Sequence, residues 1–91
     1  MKFHIEKSFD KDIDKIRDKS ILLKLHDFLA SVEKANNIRD ISHLKKLRGY
    51  DSFYRIRILD YRLGIELTSD NEIVLVRFLP RKDIYKHFPK K

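Results

Sequence analysis

The sequence predicts an α+β fold in one domain spanning residues 1–91: an N-terminal strand, a two-helix hairpin, an antiparallel β-meander and a short C-terminal helix. Three observations predict it. Between residues 9 and 32, apolar side chains recur at helical spacing with no Gly or Pro among them. Between residues 53 and 79, three runs are rich in β-branched and aromatic residues, and the first two alternate in polarity. Short turn signals separate those runs.

Each element follows in order. Residues 2–7, KFHIEK, place Phe3 and Ile5 on one side and His4 and Glu6 on the other, as a short strand does. A first helix is expected to open at Asp10, with Phe9, Ile13 and Ile16 at helical spacing. Asp10, Asp12 and Asp14 crowd its early turns, where acidic groups complement the helix dipole. Ser20 is the expected cap of a longer helix whose apolar face is Ile21, Leu25, Phe28, Leu29 and Val32. A break near Lys19-Ser20 makes the two a hairpin; one bent helix is the alternative. Asn36-Asn37 is the expected stop, and residues 38–43 read as a polar connection. Leu44 and Leu47 alternate weakly with basic residues until Gly49. Phe53–Ile58 and Tyr61–Leu67 then form a hairpin around Leu59-Asp60. Thr68-Ser69-Asp70-Asn71 turns the chain into a third strand, Ile73–Leu79, which stops at Pro80. The tail, RKDIYKHFPKK, fits a helix of one or two turns closed by Pro89. One face of the sheet is expected to bury against the helices while the other stays partly open.

Composition narrows the function. With 91 residues, 42% of them hydrophobic, the chain can bury one modest core. It has no cysteine, so neither a disulfide nor a thiolate metal site is available. His4, His26 and His43 show no ligand spacing, so no metal and no cofactor are expected. The start, MKFHIEKSFDK, is not a signal peptide, because polar residues interrupt every short apolar run. No run approaches the ~20 apolar residues that span a bilayer, so a cytoplasmic protein without a membrane partner is expected. The net charge of +7 attracts polyanions, although many small basic domains touch no nucleic acid. Where the charges lie has to decide.

Period two places them. Tyr54, Ile56 and Ile58 point one way, and Phe53, Arg55 and Arg57 the other. A tight turn at Leu59-Asp60 pairs Arg57 with Arg62 on the open face, where like charges repel. A tight turn at Asp70-Asn71 sets Arg77 opposite Gly64, with Arg81 following near Arg62. Gly64 leaves room for a ligand to reach the backbone. A phosphate would relieve the repulsion, and the guanidinium fork suits its oxygens. Phe53 and Tyr85 could stack on bases. Against this, arginine on a solvent face is ordinary, and Glu66, Asp60 or Asp83 could pair with some of these cations. Tyr85 could equally anchor the tail, and His87 could be a plain surface histidine.

Several segments together resemble a family. LKKLRGYDSFYRIRILDYRLGIE followed by EIVLVRFLPRKDIYKHF is similar to the RelE/ParE superfamily of toxins from bacterial toxin–antitoxin systems. The carriers are Leu47 and Gly49, Tyr54–Arg57, Asp60–Leu63, Ile73–Leu79 and Arg81–Tyr85. The RelE-like branch, ribosome-dependent messenger-RNA endoribonucleases, matches best. The resemblance implies a RelE-like fold and a metal-independent toxin that cuts messenger RNA in the ribosomal A site, inhibits translation and is silenced by a cognate antitoxin. It implies catalytic roles for Arg57, Arg62, Arg81 and Tyr85, and RNA contacts for Arg55, Arg77, Phe53 and His87. Many relatives carry lysine where this chain has Arg55 and Arg57. Arginine stays protonated, so the general base is open, with Tyr85, His87 and Glu66 as candidates in that order. Two alternatives stand beside this reading: a ParE-like gyrase poison, and a non-catalytic module that binds nucleic acid or the ribosome.

Overall fold

The computed structural model describes residues 1–89. Its elements run β1 (Phe3–Ile5), α1 (Lys7–Asp14), α2 (Lys19–Lys34), a 3-10 turn (Ile38–Asp40), β2 (Leu44–Lys46), β3 (Phe53–Ile58), β4 (Tyr61–Leu67), β5 (Ile73–Pro80) and α3 (Arg81–His87). The strands form one sheet in the order β1-β5-β4-β3-β2. β2 to β5 are antiparallel neighbours, as the alternation predicts, but β1 pairs parallel to β5.

The helices start earlier than their sequence signals. Glu6 donates its N–H to the Leu75 carbonyl at 3.1 Å, so the chain turns from strand to helix in one step, and α1 begins at Lys7 rather than Asp10. Asp18, not Ser20, caps α2. Its carboxylate accepts the Ser20 N–H at 2.9 Å and the Ser20 hydroxyl at 2.7 Å. Those donors hold Asp18 below the ordinary carboxylate value. Residues 15–18 break the helical pair. α2 ends at Lys34, and Asn37 instead caps the 3-10 turn in a reciprocal capping box with Asp40.

The main core lies between the sheet and the two helices. Ile21, Leu25 and Val32 of α2 and Phe9 of α1 meet Ile56, Leu63, Ile65, Ile73, Leu75 and Phe78 of the strands. At the full burial of these side chains, each contributes about 1.5–3 kcal/mol relative to exposure. The opposite face is less open than the alternation implies. Phe53, Val76, Ile84 and Phe88 form a second, smaller core, in which α3 folds back over the sheet.

The β3–β4 hairpin has the expected register, with Ile58 opposite Tyr61 and Arg57 opposite Arg62. Gly64 lies opposite Arg77, as expected, but by a different route. Leu67 pairs with Ile73, so the loop is residues 68–72, and the register shifts by one between Gly64 and Ile65. The longer loop and the bulged Val76 cancel, and Arg77 arrives in the expected place.

Candidate nucleic-acid site

Five side chains converge at the end of the sheet that α3 leaves uncovered. Arg55, Arg57, Arg62, Arg81 and Tyr85 line a depression of about 310 Å³. Arg55 and Arg57 come from alternate positions of β3, and Arg62 stands opposite Arg57 on β4. Arg81 opens α3, where its N–H donates to the Asp60 carbonyl at 2.8 Å. This bond ties α3 to the hairpin tip. Tyr85 follows one helical turn later, on the same side of α3. It is 55% exposed, and the Arg55 guanidinium carbon lies 5.9 Å from its ring centroid. Such a contact orients both groups.

Arg62 is the exceptional member. It is buried, at 8% exposure, and its Nη1 donates to the carbonyls of Tyr61 at 3.0 Å and Leu59 at 3.2 Å. Leu59 holds a left-handed φ of 54° at the hairpin tip, which presents its carbonyl to that guanidinium. Burial, followed by the charges of Arg57, Arg55 and Arg81, pushes the Arg62 pKa down from its ordinary value. The ion pairs among the described residues are His4–Glu72, Asp12–Arg77 and Asp83–Lys86, and none involves the four converging arginines. None of these three ion pairs relieves the repulsion among the four arginines. Such a cradle fits a group with two or three anionic oxygens.

Three residues expected on this surface lie elsewhere. Phe53 is buried in the second core, edge-on to Phe88 at 5.5 Å and to Tyr50 at 5.4 Å, and so is not available to stack on a base. Arg77 turns to α1: its Nε and Nη2 bond the Asp12 carboxylate at 2.8 and 2.9 Å. Asp12 also accepts the Phe78 N–H at 2.9 Å, replacing the strand that the short β1 fails to provide. His87 is exposed two residues beyond Tyr85, about 200° around the helix, and does not line the depression. The space above Gly64 is filled too. A Cβ there would lie 2.7 Å from the Phe88 ring, so this glycine admits the chain's own phenylalanine rather than a ligand.

A second depression, of about 530 Å³, shares Arg81 and Tyr85 with the first and adds Asp60, Pro80 and Lys82. The signal for it in sequence is only that Asp60 and Lys82 adjoin the arginines. A larger hollow of about 560 Å³ lies at Met1, Lys2, Phe3, His4 and Glu33, where the Met1 ammonium is taken up by the carbonyls of Val32, Glu33 and Ala35. Among the described residues, no group of three or more His, Cys, Asp or Glu side chains could hold a metal ion. None of the described helices is long and apolar enough to cross a membrane.

Comparison with known proteins shows the family of the chain. A family model described as the ParE toxin of the type II toxin–antitoxin system parDE matches residues 3–85. The chain belongs to the RelE/ParE superfamily of type II toxins. It is 36% identical over 90 residues to Toxin RelE3 of Methanocaldococcus jannaschii, covering 98% of this chain and 100% of that relative. The solved RelB–RelE antitoxin–toxin complex of Methanococcus jannaschii aligns with a TM-score of 0.78 and 32% identity, over 94% of this chain and 99% of that one. The archaeal RelE–RelB complex of Pyrococcus horikoshii aligns with a TM-score of 0.71 and 23% identity, over 91% and 97% of the two chains, and speaks for the fold. The RelE-like fold expected from the sequence is thus the observed one, with the strand, two helices, sheet and short terminal helix in order.

Proposed function

We propose that this toxin is a ribosome-dependent endoribonuclease that cuts messenger RNA in the A site and thereby inhibits translation. The observation that carries this reading is the convergence of Arg55, Arg57, Arg62, Arg81 and Tyr85 on one depression. Its similarity to a relative named RelE3 supports the same branch.

RNA carries its own nucleophile. The 2′-oxygen bonds to the adjacent phosphorus and loses its proton to a base, while the bond to the 5′-oxygen breaks and that oxygen takes up a proton. A 2′,3′-cyclic phosphate and a 5′-hydroxyl result. Negative charge builds on the phosphoryl oxygens in between, and fixed cations away from water stabilise it. Arg57 and Arg62 take that role, with Arg62 held in place by the turn carbonyls. Arg55 grips the backbone, and Arg81 stabilises the departing 5′-oxygen. Tyr85 lines the site and is the first candidate to orient the 2′-hydroxyl or stack on a base. Arginine does not deprotonate, so a base beyond these cations is needed. That need makes the isolated toxin slow on free RNA and the ribosome a required partner. A cognate antitoxin is the expected silencing partner, since the RelE of Methanococcus jannaschii is seen in complex with RelB.

Primer extension on translating ribosomes tests this. Wild-type protein should produce A-site breaks, and Arg62→Ala or Tyr85→Phe should remove most of them. Rapid cutting of naked messenger would refute the ribosome requirement. The second reading, a gyrase poison, draws on the ParE family model. It requires gyrase-linked double-strand DNA breaks and intact messenger.

A further inference from the structure

The geometry points to a base-reading subsite beside the phosphate cradle, with Asp60 selecting a base that offers two adjacent donors, which among the four RNA bases is guanine. This rests on the RNA reading proposed above.

Three features lead there. First, the two depressions share Arg81 and Tyr85, so those side chains form the wall between them. A nucleotide whose phosphate sits among the arginines places its base or its neighbour's within reach of the second hollow. Second, that hollow combines a flat apolar surface, from Pro80 and the Tyr85 ring, with one carboxylate and the cations Arg81 and Lys82. Single-stranded RNA bases are read in this way, stacked on a ring and hydrogen-bonded along the Watson–Crick edge. Third, Asp60 is uncommitted. It is exposed, and among the described residues its carboxylate makes no ion pair, although its backbone carbonyl holds the Arg81 N–H. A carboxylate at the rim of a phosphate site repels the RNA backbone, so its favourable contact is with base donors. A carboxylate only accepts hydrogen bonds, and it accepts two in parallel. Guanine N1–H and N2–H match that pair. Adenine and cytosine offer one exocyclic amine beside an acceptor, and uracil one N–H between two carbonyls.

The test uses non-cleavable 2′-O-methyl trinucleotides with guanine, inosine, adenine, cytosine or uracil at each position in turn, titrated against the full chain by fluorescence anisotropy. At one position guanine should bind about tenfold tighter than adenine or uracil, with inosine, which lacks N2–H, between them. Asp60→Asn should bring guanine to the level of the other bases. Asparagine suits a turn and keeps the carbonyl that Arg81 uses, and a circular-dichroism melt checks the fold. Base-independent binding by wild type, or a guanine preference that survives in both Asp60→Asn and Asp60→Ala, overturns the inference. Ribosomal cleavage separates it from the broader reading. Guanine-selective binding without any A-site break removes the nuclease and leaves the subsite. Breaks with no base preference remove the subsite and leave the nuclease.

Discussion

Arg62 and Asp12 are both buried charged residues, and they behave oppositely. Arg62 has carbonyl partners but, among the described residues, no ion-pair partner, and three other guanidiniums stand near it. A base whose folded pKa lies below its unfolded value opposes folding at every pH where it stays charged. Arg62→Gln should therefore change stability by no more than about 1 kcal/mol, the lost hydrogen bonds being offset by the relief of repulsion. The same change should slow single-turnover cleavage by about 10²-fold or more, as expected for losing a fixed transition-state donor. Urea melts beside quench kinetics check both halves, and a large stability loss would make Arg62 a structural residue. Asp12 is the converse, fully satisfied by Arg77 and the Phe78 N–H. Asp12→Ala leaves a cation and a backbone donor without partners and should cost about 3–5 kcal/mol. In Asp12→Ala/Arg77→Leu the cation goes too, so part of the loss should return in the same urea melt.

At the scale of elements, α3 decides where Tyr85 stands. Ile84 and Phe88 are buried beneath it, and the Phe88 ring rests on Gly64 of β4. Gly64→Ala would drive a methyl into that ring, costing about 1–3 kcal/mol of overpacking. Cleavage should fall further than stability explains, because α3 carries Tyr85 and Arg81 with it. Adding Phe88→Leu should restore part of the activity; if it does not, α3 is not the positioning element. The hairpin that holds Arg57 and Arg62 was legible in the sequence, because period two and a tight turn are local properties. The bulge at Val76 was not, since it depends on how a five-residue loop and α1 share the edge of β5. Nor was the covering of Gly64. A glycine between arginines reads alike whether a ligand or the chain's own ring fills the gap. Phe53 was misplaced for the same reason: alternation assigns it a face but cannot say that α3 covers that half of the face.

At the scale of the molecule, a charge of +7 is spread over many side chains, and composition cannot separate a binding site from a general cationic field. The site was partly legible, because four of the five residues around the cradle sit on locally readable elements and Tyr85 follows from the tail's resemblance. Arg77 was not separable from them by pattern, since its partner lies 65 positions away. Salt dependence distinguishes field from site. Each phosphate neutralised on a single strand contributes about −0.7 to the slope of log K against log salt, so three contacts in the cradle give about −2. Arg55→Gln and Arg57→Gln should each reduce that slope by about 0.7. Arg77→Gln, which removes the same unit of charge from a cation already paired with Asp12, should leave the slope unchanged. Anisotropy titrations of a short oligoribonucleotide at four salt concentrations give the comparison. Equal slope changes in all three variants would mean that net charge, not the converging guanidiniums, holds the RNA, and the nuclease geometry would lose its basis.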